Sequence, residues 1–538
     1  MASVTTWGKR ALVLAGGAVA TTLVLTGCAS GSGSSTDLNG LIVGTTDKIV
    51  SLDPAGSYDT GSFVVQNQVF PFLMNTPSGS PDVKPDIATK GTFTDPTTYT
   101  VTLKKGLKFA NGHKLTSSDV KFSFDREVKI NNPSGPQSLL ANMKSISTPN
   151  ATTVVFHLDH ADQTWPQVLS SPAGPIVDEQ VFSPTALTSS AKIVSGNAFA
   201  GQYTITSYKE NDLIQYEKND AYKGVLNAAK TDEITAQYFT KQTDLKLAVQ
   251  KGDVDVAYRS LTPTDITSLS KKKNLNVTYG PGGEIRYVVF NFKTQPFGTG
   301  TSGADEAKAL AVRQAVADVV DRDQIAKDVY NNTYTPLYSM VPDGLTGAAT
   351  PFKELYGDGN GGPDVAKAKS TLSAAGVEGK VELDIQYSPD HYGESSDDEY
   401  AALKSQLENS GLFTVNIQST LYTTYSKERT EDQYPEYQLG WFPDFSDADN
   451  YLSPFFTKDN FVQNHYDDRT IQQLIADEQA ESDPDERAEI LSEVQQREAE
   501  QISTLPLLQG KSVAVANKDV KGVTLDASFK FRYGTLTK

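Results

Sequence analysis

Cysteine is almost missing from these 538 residues: there is one, Cys28. That excludes a disulfide framework and a structural zinc site built on thiolates. Positive charge is also short, with 48 Lys and Arg against 66 Asp and Glu, a net charge of −18. A nucleic-acid binder needs a basic stripe, and this balance argues against one. Histidine is scarce as well, with five in the chain. Beyond the N-terminal segment no run approaches ~18 consecutive apolar residues, so nothing else is expected to span a bilayer. What is present is enough to fold. A hydrophobic fraction of 38% with 23 Phe and 24 Tyr excludes wholesale disorder. The length predicts two to four domains or lobes.

The N-terminus indicates a compartment. Lys9 and Arg10 precede a small, apolar stretch over 11–25, the pattern of a signal peptide. It runs into Leu25-Thr26-Gly27-Cys28, which resembles a bacterial lipobox. Residues 1–27 are therefore expected to be a lipoprotein signal peptide and Cys28 the lipid attachment point. Residues 28–37, rich in Gly and Ser, are expected to be a flexible tether. Loss of 1–27 removes two cations and no acid, leaving a mature charge of −20. The expected location is the outer face of the bacterial cytoplasmic membrane, or its periplasmic side in a Gram-negative cell.

The body reads as mixed α and β. Tyr99, Val101 and Leu103 alternate with threonines, and Val154, Phe156 and Leu158 repeat the period of a half-buried strand. Thr116-Ser117-Ser118-Asp119 has capping-box spacing, with Val120, Phe124 and Val128 on one helix face behind it. Lys209-Glu210-Asn211-Asp212 predicts a turn between Tyr203, Ile205 and Leu213, Ile214. Helices are expected over 307–320, after Asp321, from Pro363 to Gly376, and from Asp483 through Ile502. Ser503-Thr504-Leu505-Pro506-Leu507 is expected to stop the last of these, ahead of a β-rich tail over 513–533. Alternating strands and helices in both halves predict α/β lobes.

Several motifs fail on context. Gly357-Asp358-Gly359-Asn360-Gly361-Gly362 fits G-x-G-x-x-G, but residues 351–356 before it make a poor strand, so a plain glycine loop is expected. Gly510-Lys511-Ser512 resembles the end of a P-loop, yet Leu505 occupies the position of its first glycine. No G-x-S-x-G or H-E-x-x-H occurs. His157 and His160 suggest a ligand pair, although His157 falls on the solvent side of a predicted strand. Asp444 and Asp447 could act as paired glycosidase carboxylates only at a separation that sequence does not fix.

Ordered segments across residues 40–530 resemble the family 5 solute-binding proteins of ABC importers, the peptide- and nickel-binding group. They include Ser51-Leu52-Asp53-Pro54-Ala55 and the run from Thr98 through Phe109, Asn111-Gly112 and Thr116-Ser117-Ser118-Asp119-Val120. Lys218-Asn219-Asp220-Ala221-Tyr222, Gly252-Asp253-Val254-Asp255 and Val312-Arg313-Gln314-Ala315-Val316 follow in order. Gly440-Trp441-Phe442-Pro443-Asp444 and Asp449-Asn450-Tyr451-Leu452 complete the set.

The resemblance implies an α/β, two-lobed periplasmic-binding-protein-like clamshell of type II with an enlarged first lobe. Lobe I would comprise 38–282 and 506–538, and lobe II 283–505. The crossings would fall at Gly282-Gly283 and Leu505-Pro506. It implies no enzymatic activity, no cofactor and no metal. It implies a monomer that captures an oligopeptide and delivers it to an ABC permease and ATPase complex, with no nucleic-acid partner. Asp444 would pair with the ligand's α-ammonium and Trp441 would line the site. Dipeptide binders of the family place a cation after the strand resembling 381–387. Here that segment is Ser388-Pro389-Asp390-His391, with no Arg or Lys, which favours longer peptides or another ligand. Two alternatives remain open: an oligosaccharide or other small solute in the same fold, and a surface-anchored hydrolase.

Overall fold

The computed structural model describes residues 40–538 apart from 260, 394, 459 and 529. The expected signal peptide, tether and Cys28 lie outside the described residues. Asn39–Lys538 forms one compact unit.

Two large sheets organise it. The first has seven strands in the order Leu275–Gly280, Ser512–Asn517, Val256–Tyr258, Leu41–Thr45, Glu233–Tyr238, Leu213–Lys218, Tyr203–Lys209. Leu41–Thr45 pairs in parallel with both of its neighbours, while the hairpin closing over 209–212 makes the far edge antiparallel. The second has six strands in the order Tyr334–Pro336, Thr504–Gly510, Ile285–Phe290, Glu436–Trp441, Val381–Tyr387, Phe413–Ser419. A smaller antiparallel sheet, Ala88–Asp95, Thr98–Leu103, Thr153–Leu158 and Met143–Asn150, carries its own core. Tyr99, Val101, Leu103, Val154, Phe156 and Leu158 fill that core, as their period-2 spacing requires.

Each sheet forms because its inward residues are apolar. Val288 and Phe290 face one core of the second sheet, and Ile285, Tyr287 and Val289 the other. A strand buried on both faces must be apolar at successive positions. Arg286 is the exception in that strand and is also buried.

The helix starts follow local chemistry. Thr116 and Asp119 form the reciprocal capping box before Ser117–Ile130. Asp321 caps Arg322–Asp328, and Asp483 caps Pro484–Gln501, with Pro484 at the start where its missing N–H costs nothing.

Three expectations are corrected. Asp364 caps the helix Val365–Ala374, so Pro363 precedes the helix instead of starting it. The tail is not β-rich: after Ser512–Asn517 the named elements contain no further strand, and the chain packs irregularly through Phe531, Tyr533 and Leu536 onto the first core. Finally, Thr504–Gly510 is a strand of the second sheet, so the return crossing falls at Lys511 and not at Leu505-Pro506. Pro506 is accommodated beside a register shift, where Leu507 has no register partner on Ile285–Phe290.

The two crossings run against each other. Gly510 N donates to Glu284 O at 2.8 Å, and Gln509 Nε2 donates to Gly282 O at 2.8 Å. A Cβ on Gly282 would stand 2.0 Å from Gly510 O, so only glycine allows this approach.

Candidate functional site

The strand Glu436–Trp441 ends at the junction between the sheets, and the segment after it crosses a cleft. Phe442, Pro443 and Asp444 line a cavity of about 390 Å³, together with Trp441 and Gly440. The opposite wall comes from Tyr58 and Asp59, from Thr60, Phe63 and Asn67 along the helix Thr60–Val69 that follows, and from Lys530 in the tail.

Asp444 sits at the meeting of the two walls. Its Oδ1 accepts a short hydrogen bond from the Tyr58 hydroxyl, contributed by the opposite wall. Its Oδ2 accepts from Asn450 Nδ2 at 3.2 Å, and its backbone N–H donates to Asn450 Oδ1 at 2.9 Å. Asn450 Oδ1 also accepts from Trp441 Nε1 at 3.2 Å. One amide thus couples the indole and the carboxylate. Burial pushes the Asp444 carboxyl above its ordinary value, against the hydrogen bonds from Tyr58 and Asn450. No ion pair to Asp444 occurs among the described residues. Trp441 packs edge-on to Phe455 at 5.2 Å and tilted against Phe461 at 5.6 Å. It belongs to both the core and the cleft wall.

His391, Tyr392 and Phe442 are shared with a second cavity of about 310 Å³ that extends the cleft. His391 stacks on Tyr422 with centroids 3.5 Å apart and planes 8° apart. Burial, then the nearby Arg286 charge, lowers its pKa below the usual histidine value, so it is a neutral aromatic shelf at pH 7. The second cavity is also lined by Arg259, Glu284, Arg286, Tyr334 and Lys511.

Sequence reasoning singled out Trp441 and Asp444, and the structure brings both into one cavity. It missed Tyr58, Lys530 and the basic cluster. Tyr58 and Lys530 carry no local sequence signal, since their places depend on the tertiary fold. Arg286 did carry one: it is the single charge in Ile285-Arg286-Tyr287-Val288-Val289-Phe290. Asp447 does not pair with Asp444 as a second acid. It is held by Arg487 at 2.7 and 3.0 Å. His157 Nε2 meets Ser147 Oγ at 3.3 Å, and His160 is exposed.

Residues 82–463, more than half of the chain, match the family described as bacterial extracellular solute-binding proteins, family 5 Middle. A dipeptide-binding protein of Escherichia coli (strain K12) is 24% identical over 509 residues, 89% of this chain and 89% of its own. A glutathione-binding protein of Salmonella choleraesuis (strain SC-B67) is 24% identical over 506 residues, 91% of this chain and 93% of its own. Among solved structures, the periplasmic binding protein DppA from Helicobacter pylori in complex with the peptide STSA aligns with a TM-score of 0.71 at 19% identity. That alignment covers 92% of this chain and 97% of the other. The α/β fold is therefore the two-lobed fold of periplasmic binding proteins. The chain belongs to the bacterial extracellular solute-binding proteins, family 5, as a non-catalytic solute-binding protein of the ABC-transporter type.

Proposed function

We propose that this protein captures oligopeptides between its lobes and delivers them to a membrane permease. The observation that carries the reading is Asp444, a carboxylate of raised pKa in a cleft, hydrogen-bonded by Tyr58 and Asn450 but in no ion pair among the described residues. A peptide α-ammonium supplies the missing charge, and the charge-assisted bond then displaces the Tyr58 hydroxyl. The relatives named for dipeptides and glutathione support a peptide-like ligand.

Lobe I is assigned to 38–282 with the tail, and lobe II to 283–505 extended by the strand that ends at Gly510. Closure turns about the crossings at 281–284 and Lys511. Cys28 carries the lipid anchor, and the mature chain works as a monomer beside the permease and its ATPase. Oligosaccharide capture is the second reading, favoured by the aromatic wall of Tyr392, Tyr422, Trp441 and Phe442.

Thermal unfolding with peptide pools tests the assignment. A bound peptide at a hundredfold excess over Kd stabilises the fold by about 2.7 kcal/mol. Peptides with a free N-terminus are expected to raise the midpoint and N-acetylated ones to fail. A shift with glycans and none with peptides overturns the peptide assignment. Equal shifts with free and acetylated peptides remove Asp444 from it.

A further inference from the structure

The lobes meet at a second place, beyond both cavities of the cleft. After Asp444 the chain runs to the small antiparallel sheet, and Phe445, 8% exposed, enters the core of that sheet. Every other residue of that core lies between Leu73 and Ala200. Phe445 is thus an apolar plug from one lobe seated in the other, and burying such a ring is strongly favourable. Polar contacts flank it. Gln167 Nε2 donates to Asp447 Oδ2 at 3.0 Å, and the Gln163 backbone N–H donates to Gln479 O at 2.7 Å. Gln163 precedes the short helix Trp165–Val168, and Gln167 lies within it. None of Gln163, Gln167, Phe445, Asp447 and Gln479 lines either cavity of the cleft, so the contact forms without a ligand.

Acids crowd the same contact. Asp162 comes from the small-sheet side, and Asp447, Asp449 and Glu478 from the other; all four are buried. Arg487 is the cation among them. It grips Asp447 at 2.7 and 3.0 Å and reaches Glu478 Oε2 at 2.8 Å. The remaining hydrogen bonds come from neutral groups. Asp162 accepts from Thr164 at 2.8 Å and Asn142 at 3.3 Å, and Asp449 accepts from Gln479 Nε2 at 3.1 Å and from Ser453. Closing the lobes therefore brings a fourth carboxyl up to three that share one guanidinium. Like charges repel strongly where water is excluded. Burial first, then the Asp449 and Asp447 charges, raise the Glu478 pKa in spite of Arg487. Burial raises that of Asp449, and the Asp447 and Asp162 charges add to it. Gln163, Gln167, Asp447 and Arg487 also border a third cavity of about 620 Å³, which gives water a path to the contact.

We infer that Phe445, Asp447 and Gln479 form a latch that seats on residues 163–168, holds the lobes closed with no ligand bound, and engages with a proton on the Asp449–Glu478 pair. The closed form keeps a proton that the open form releases, so closure is favoured in acid and lost as pH rises. Asp444 adjoins the plug, which puts the latch and the cleft on one segment of chain. The inference rests on the lobe assignment made above and on no particular ligand.

Small-angle X-ray scattering of the ligand-free protein, titrated from pH 5 to pH 9, tests it. Asp444→Asn is the background, because Asp444 is another buried acid of raised pKa that closure covers. The radius of gyration is expected to rise with pH as the latch releases. Gln167→Ala, at a half-buried position, removes one hydrogen bond to a charged acceptor. It is expected to lower the closed-to-open ratio about tenfold and so move the rise about one pH unit lower. Adding Phe445→Ala is expected to move it about one unit further. Glu478→Gln is expected to shrink the rise. Far-ultraviolet circular dichroism of each sample separates opening from unfolding. No rise between pH 5 and pH 9 overturns the latch, as does a rise that neither Gln167→Ala nor Phe445→Ala moves. A rise unchanged by Glu478→Gln overturns the role of the proton. A latch that behaves as expected in a protein that captures no peptide leaves this inference standing and overturns the peptide reading alone.

Discussion

In the proposed peptide complex Asp444 carries opposite costs in the empty and occupied protein. Burial raises its pKa, so the empty folded state holds a proton more tightly than the unfolded chain does. In the empty protein this group adds stability as pH falls and withdraws it as pH rises through the raised value. An ammonium ligand needs the carboxylate, which reverses that trend. Affinity is therefore expected to fall on acidification at a pH above the ordinary aspartate value of 3.8. Asp444→Asn is expected to cost about 2–5 kcal/mol of peptide binding and to flatten the acid limb. Its unliganded unfolding midpoint at pH 7 is expected to match or exceed that of the unaltered protein. Calorimetric titration across pH checks both; an unchanged acid limb would remove Asp444 from the site. Asp444 and Trp441, which line one cavity, were singled out together because they lie in one contiguous motif. Tyr58 was not: the hydroxyl that meets Asp444 lies 386 residues away in sequence.

Elements were legible where chemistry is local. The box at Thr116 and the caps at Asp321 and Asp483 need only neighbouring residues, and each starts a helix where expected. Thr504–Gly510 was not legible, because its proline signals a break unless the bulge opposite Arg286 and Tyr287 is known. Tertiary contacts also set the charge state of the helix pair Arg469–Ala480 and Pro484–Gln501. Arg487 binds Asp447 and reaches Glu478 Oε2 at 2.8 Å, with Asp449 beside them. Burial, then the Asp449 and Asp447 charges, pushes the Glu478 carboxyl up to about 10 in spite of Arg487. Between its ordinary value of 4.5 and about 10 the folded protein keeps a proton that the unfolded chain releases. The stability from this group is complete below 4.5 and lost as pH rises towards 10. Glu478→Gln replaces the protonated acid by a neutral isostere. Denaturant unfolding at pH 5 and pH 9 should show a smaller loss for the variant than for the unaltered protein. An identical loss would mean that Glu478 is ionised in the fold.

At the scale of the whole molecule, two large sheets are joined by two chain crossings, the second at Lys511 where Leu505-Pro506 was expected. Gly282 and Gly283, where the first crossing was expected, lie between the strands Leu275–Gly280 and Ile285–Phe290 at a point of close approach. The second carries no such signal, since Gly510 precedes a lysine in an ordinary strand sequence. The contact between the crossings is what makes the junction one structure. At Gly282 a Cβ would meet Gly510 O at 2.0 Å and Ser512 N at 3.0 Å, both backbone atoms that cannot rotate away. By contrast, a Cβ on Gly376 meets nothing within 4 Å, and its left-handed φ of 70° is the sole strain. Gly282→Ala must push the crossings apart, an overpacking cost of about 1–3 kcal/mol. It also shifts Lys511, which lines the second cavity together with Arg259. The variant is therefore expected to lose both unfolding midpoint and peptide affinity, whereas Gly376→Ala should lose midpoint alone. Thermal unfolding with and without a pool of peptides with free N-termini separates the two. Equal peptide stabilisation in both variants would show that the lobes orient their charges independently of the contact between the crossings.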